Sequence, residues 1–139
     1  MCGGHFINYW SDAQKMSGLS SAEAELMAAV KTSTEVIGVL QLMGEIGVQL
    51  ESEVLIDSSA ALAAVHRKGN GRLRHVRVGH LWIQQMSEDG ELQYQKIDGG
   101  LNPADLMTKT LTAGKIQDFM IKLKQSRRGD RVVEGLALK

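Results

Sequence analysis

A chain of 139 residues with 43% hydrophobic residues is long enough to bury one core and too short for two ordinary domains. A charged fraction of 23% at net charge +0, combined with regular apolar periodicity and a single proline, excludes the composition of a disordered chain. The single cysteine, Cys2, excludes an internal disulfide framework, no His/Cys group has zinc-site spacing, and no apolar run approaches the ~20 residues of a membrane span. The first ten residues also lack the charged and apolar regions of a signal peptide. The expectation is a soluble intracellular protein, cytoplasmic or nuclear, with no membrane partner.

The charge balance conceals a polarity, because residues 1–60 hold 2 Lys/Arg against 8 Asp/Glu and residues 61–139 hold 14 against 8. This suits a carboxylate site facing a basic nucleic-acid track. It suits equally well two halves that attract each other within one fold.

In chain order, His5 to Trp10 is rich in β-formers and reads as a short strand. Ser20 and Glu23 form an S-x-x-E capping box that opens a long helix, running to about Gly44 or Gly47. Its apolar residues, Leu26, Ala29, Val30, Ile37, Leu40 and Met43, recur at helical spacing on one face. Glu53 to Asp57 is a β-rich run ending in an aspartate, and Ser58-Ser59 then caps a small Ala-rich helix. Gly69-Asn70-Gly71 ends that helix and opens the basic stretch RLRHVR, before an amphipathic helix through Leu81, Trp82, Ile83 and Met86. After the turn at Asp89-Gly90, ELQYQKI alternates as a half-buried strand does. Asn102-Pro103-Ala104-Asp105 supplies a helix start with asparagine as cap and proline at the first helical position. A last helix spans about Thr112 to Gln125, and the basic tail from residue 126 to 139 is expected to be flexible. The order of elements predicts an α/β sandwich of modest sheet size.

Four motifs in order carry a family resemblance: W-S-x-x-Q (Trp10, Ser11, Gln14), L-S-S-x-E-A-E (Leu19 to Glu25), I-D-S-S-A (Ile56 to Ala60) and N-P-A-D-L-M-T-K-T-L (Asn102 to Leu111). Together they resemble the ribonuclease H domain of copia-type retrotransposon Pol polyproteins, over about residues 3 to 112. The block RHVRVGH, Arg74 to His80, stands where that family shows a basic stretch before a helix, but the usual acid after the histidine is replaced. The resemblance implies a ribonuclease H-like mixed sheet with helices on both faces. Residues 1–112 would be a partial domain of this kind, followed by a C-terminal helix over 113–125.

The resemblance also implies hydrolysis of the RNA strand of an RNA–DNA hybrid, with acidic side chains holding two magnesium ions. Magnesium prefers carboxylate oxygen and keeps several waters, and a pair of such ions can activate water and stabilise the leaving oxygen. By resemblance the carboxylates are Glu25, Asp57 and Asp105. Each also has a structural reading: Glu25 as a solvated helix-edge acid, Asp57 as a helix cap beside Ser58, and Asp105 as a first-turn acid complementing the helix dipole. Periodicity places Glu25 toward the apolar arc near Val36 and Met43, while Glu23 has its capping role. Asp98 is a fallback acid that the family pattern does not support.

Arg67, Lys68, Arg72, Arg74 and Arg77 are candidate phosphate contacts, since duplex backbones are bound largely through charge, with a solvated basic loop as the alternative. His66, His75 and His80 could shuttle protons but lone histidines are more often packing or surface residues. The family's first aspartate lies on a strand upstream of W-S-x-x-Q, where this sequence has four residues, and Asp12 lies at the wrong end of the sheet to replace it. The expectation is therefore an N-terminally truncated fold with little or no nuclease activity unless an upstream in-frame strand carrying such an acid, itself preceded by reverse transcriptase, restores it. The alternatives are a non-catalytic module binding hybrid or duplex nucleic acid, and an interaction domain that completes its sheet with another chain.

Overall fold

Two four-residue strands, β1 (Glu53–Ile56) and β2 (Gln93–Lys96), pair in parallel, with Val54 opposite Tyr94 and Ile56 opposite Lys96. The structure, a computed structural model, describes residues 7–8, 21–69 and 78–125. The chain divides into two compact units, Gln14–Gly100 and a second comprising Met1–Ala13 with Leu101–Lys139. Of the expected strand His5 to Trp10, only Ile7 and Asn8 are described, in neither helix nor strand. The capping Ser20 also lies outside the described residues.

In the first unit, helix α1 (Ser21–Glu45) precedes β1, and helices α2 (Ser59–Val65) and α3 (Val78–Glu88) form the crossover between β1 and β2. A parallel pair requires such a crossover, because a tight turn can join only antiparallel neighbours. Alternation along the strands turns Val54, Ile56 and Tyr94 inward, and Leu55, Gln93 and Gln95 outward. The core gathers those inward residues with Leu26 and Ala29 of α1, Ala61, Ala64 and Val65 of α2, Ile83 of α3, and Leu92. The small alanines of α2 let its backbone lie close to both α1 and the sheet.

Length and composition alone would allow α1, over Ala22–Glu45, to cross a membrane. A search for an unbroken apolar run misses this because Lys31 to Glu35 interrupts the sequence. In the fold its stripe Leu26, Ala29 and Ser33 is buried, and the helix packs against α2, α3 and β1.

Ser33 is a polar member of that stripe. Its Oγ donates to the Ala29 carbonyl at 2.8 Å and shares a 2.9 Å hydrogen bond with the Tyr94 hydroxyl, tying α1 to β2 inside the core. Burial raises the Tyr94 pKa above its ordinary value, and the Ser33 hydrogen bond partly opposes the shift. On α3, Gly79 allows close approach to α1: a Cβ there would stand 3.0 Å from Val30 Cγ1.

The second unit contributes a 3-10 helix over Pro103–Met107 and α4 (Ala113–Lys122), which pack together. The sequence predicts an ordinary helix start at Asn102. The segment instead closes i to i+3 bonds, Asp105 N to Asn102 O at 3.2 Å and Thr108 N to Asp105 O at 3.2 Å, the tighter winding that short helical connectors use. Helices α1, α3 and α4 end alike, with a left-handed residue at Gly47, Gly90 and Lys124, two residues beyond the helix, and the next amide bonded back five positions. Lys124 holds that conformation at φ 52 without glycine's freedom.

Two outcomes follow from the core. Gly79→Val drives a side chain into Val30 and should destabilise the fold by about 1–3 kcal/mol in chemical denaturation. Because the folded state raises the Tyr94 pKa, the unfolded state ionises first, so the stabilisation is complete below pH ~10 and is lost as pH rises through the folded value. Melting temperatures should therefore fall between pH 9 and pH 11, less steeply in Tyr94→Phe than in the parent.

Candidate carboxylate site

Asp57 directly follows β1, at the carboxyl end of the parallel pair, where open α/β sheets place ligand-binding groups. The alternative role of helix cap is taken by its neighbour. Ser58 adopts extended backbone (φ −89, ψ 112), and its Oγ accepts from Ala61 N at 3.2 Å, satisfying one of the free amides at the start of α2. Capping thus leaves the Asp57 carboxylate to other partners, and the residue is half-buried. Lys96, at the same end of β2, donates from Nζ to the Asp57 carbonyl oxygen, so an aspartate and a lysine share this edge.

Glu25 lies in the first turns of α1 and is exposed, whereas Glu23 is half-buried, the reverse of what the apolar arc predicts. The buried stripe begins at Leu26, and Glu25 stands about 100° from it around the helix, outside the packed face.

Asp105 belongs to the second unit and is 8% exposed. The Asn102 side chain caps its turn through Oδ1, accepting from Ala104 N at 3.1 Å, with Pro103 following as expected. Both carboxylate oxygens of Asp105 face the Lys109 ammonium, at 2.9 Å from Oδ1 and 3.0 Å from Oδ2. Lys109 stands in the N-P-A-D-L-M-T-K motif, and its i, i+4 spacing from Asp105 was the available signal for this pair. Asp98, the fallback acid, is occupied in a turn, with Oδ1 accepting from Gly100 N at 2.7 Å.

Oxygen donors of this kind suit a hard divalent ion. Among the described residues, however, no three His, Cys, Asp or Glu side chains form a group that could hold a metal ion. The structure thus supplies carboxylates of the right chemistry in two separate units.

Of the basic candidates, Arg67 and Lys68 are exposed just beyond α2, while Arg72, Arg74 and Arg77 lie outside the described residues, as does His75. Lys68 pairs with Glu88 at 2.5 Å, and that hydrogen bond, followed by the Glu88 charge, raises its pKa. The same end of α2 is held to α3 by Gln84 Nε2, which donates to the Ala64 carbonyl at 2.8 Å, and by Ser87 Oγ, 3.3 Å from His66 Nδ1. The basic segment therefore leaves from an anchored end. His66 serves in this seam, and His80 is buried within α3.

The chain is similar to three retrovirus-related Pol polyproteins. It is 34% identical to that of transposon TNT 1-94 from Nicotiana tabacum over 82% of this chain and 9% of the relative. It is 27% identical to those of transposons RE1 and RE2 from Arabidopsis thaliana, over 90% and 87% of this chain and 9% and 8% of the relatives. The chain thus spans less than a tenth of the length of these relatives, and its homologues are Pol polyproteins of copia-type transposons. No protein-family model matches it, and no solved structure matches it.

Separating the two roles at the β1–α2 junction needs only stability measurements. Ser58→Ala should cost about 1 kcal/mol through loss of the cap, and Asp57→Asn should cost less; the reverse order would make Asp57 the structural residue.

Proposed function

We propose that this chain is the ribonuclease H segment of a copia-type retrotransposon Pol polyprotein, contributing to hydrolysis of the RNA strand of RNA–DNA hybrids. The observation that carries the reading is Asp57: it stands at the carboxyl end of a half-buried parallel strand, with Ser58 serving as the helix cap beside it, within a segment homologous to transposon Pol polyproteins. The ordered sequence motifs support it. In this reading the sheet belongs to a larger ribonuclease H-like mixed sheet with helices on both faces.

By the sequence motifs, Glu25, Asp57 and Asp105 are each proposed as magnesium-binding carboxylates, though among the described residues they do not form one metal-holding group. When bound, the ions would supply an activated water and stabilise the leaving oxygen. The protein's own part is to hold its carboxylates in fixed orientation and to bind the duplex. Asp57 is set by the rigid strand end, and Asp105 by its capped turn. Exposed Arg67 and Lys68, followed in sequence by Arg72, Arg74 and Arg77, are the proposed phosphate contacts, with Lys68 exchanging Glu88 for phosphate.

Three of the family's four carboxylates find a match within these 139 residues. Upstream polyprotein sequence, including the reverse transcriptase segment, is the proposed partner. The setting is intracellular, cytoplasmic or nuclear.

A second reading is favoured by the sheet itself. Among the described residues it has two strands, and Leu55 on its outer face is 48% exposed. Such a pair can gain strands from another chain, giving an interaction domain without catalysis.

The test is cleavage of a labelled RNA–DNA hybrid with magnesium, by this chain and by a polypeptide extended upstream into the polyprotein. The extended form should cleave, and Asp57→Asn should slow it by about a hundredfold or more, as loss of one charge from a preorganised site does. Cleavage unaffected by Asp57→Asn would overturn the assignment. Salt-sensitive hybrid binding without cleavage in either form would favour a binding module instead.

A further inference from the structure

Three side chains on one face of α3 grip the exit of α2. Gln84, Ser87 and Glu88 stand at i, i+3 and i+4 spacing, and each reaches a different part of the stretch that leaves the shorter helix. Gln84 Nε2 donates to the Ala64 carbonyl at 2.8 Å and to the Gly69 carbonyl at 3.3 Å. Ser87 Oγ lies 3.3 Å from His66 Nδ1, and Glu88 pairs with the Lys68 ammonium. Ala64 belongs to the last turn of α2, whose carbonyls have no donor a turn further along the helix. The neighbour of Gln84, Ile83, is fully buried and fixes that part of α3 in the core. Of the three side chains, Gln84 holds backbone on both sides of Arg67 and Lys68, with Gly69 in a left-handed turn (φ 77) at the far end. Arg67 and Lys68 themselves are exposed, the Lys68 side chain at 84%.

We propose that Gln84 is a positioning residue for nucleic-acid binding: by clamping the backbone on either side of Arg67 and Lys68, it holds these two cations in one presentation toward the phosphates of a duplex. The proposal rests on the reading of Arg67 and Lys68 as phosphate contacts. A chain that must be ordered on binding gives up conformational freedom, and a chain already held at Ala64 and Gly69 gives up less. The Gln84 amide is neutral and displaces no counter-ion, so its loss should weaken binding without changing the number of phosphates neutralised. Asp57 precedes the first turn of α2 and Lys68 follows the last, so the same clamp also holds the spacing between the candidate carboxylate and the phosphate contacts.

The experiment measures binding of a labelled RNA–DNA hybrid to the full 139-residue chain over a series of salt concentrations, without magnesium. Gln84→Met keeps the length of the stem and removes the amide donor. It should weaken binding about three- to tenfold, the scale of one lost hydrogen bond, while the slope of log Kd against log salt stays that of the parent. Arg67→Ala combined with Lys68→Ala should weaken binding and lower the slope by about two. In that double-alanine background Gln84→Met should cost nothing further, because it acts through the residues that are gone. Gln84→Asn, whose amide falls a methylene short of both carbonyls, provides the same reading if the methionine variant folds poorly. An equal loss from Gln84→Met with and without Arg67 and Lys68, or no loss in the parent, overturns the positioning role alone. Hybrid binding that is absent from the parent at low salt, or indifferent to Arg67→Ala and Lys68→Ala, overturns the phosphate-contact reading beneath it as well.

Discussion

Val54, Ile56 and Tyr94 project to one side of a sheet that, among the described residues, has two strands and is too short to persist in water by itself, and the long helix α1 covers that side. Everything that places Asp57 depends on this burial. The strands supply an apolar group at every second position, the helix supplies a stripe with a period of 3.6 residues, and the two patterns meet over Leu26, Ala29 and Ser33. If the helix face were lost, the strand end would have no fixed position. The Ser33–Tyr94 bond adds direction to an otherwise non-directional apolar contact, since a buried hydroxyl pair is satisfied in one alignment of α1 on β2.

The same division of labour recurs at Asp57 and Asp105. A neighbouring polar residue performs the capping, Ser58 in one case and Asn102 in the other, with the aspartate one or three positions away. The two acids then differ in their lysines. Lys96 donates to a backbone carbonyl beside Asp57, whereas Lys109 engages the Asp105 carboxylate itself. An aspartate in a first turn gains from the helix dipole wherever it occurs. Its enclosure and its lysine make Asp105 more than a dipole partner.

Much of the α/β unit was legible in the sequence because its signals are local and agree with one another. The α1 stripe, the alternation through Gln93 to Lys96 and the serine ahead of the Ala-rich helix each specify an element from a few residues. What the sequence concealed was either non-local or polar in an apolar role. Ser33 interrupts the apolar pattern of α1 and lies at the centre of its packed face, since only the distant Tyr94 makes a serine suitable there. Gly79 looks like a weak point in a helix until Val30 is seen against it. Glu25 was misplaced toward the core because an edge position lies within one residue's rotation of the buried stripe. The segment after Asn102 carried the right cap and the wrong helix type, as the same residues start either kind.

The parallel direction of β1 and β2 has a consequence for how the chain is made. During synthesis β1 leaves the ribosome well before β2, and no hairpin can join these two strands. Their shared ladder must wait for α2, the basic segment and α3 to emerge, a long closure that is rewarded only when β2 docks. Until then the edge of β1 that β2 will pair stays open beside the apolar Leu55, so the half-made chain passes through an adhesive stage that the finished pair only partly conceals.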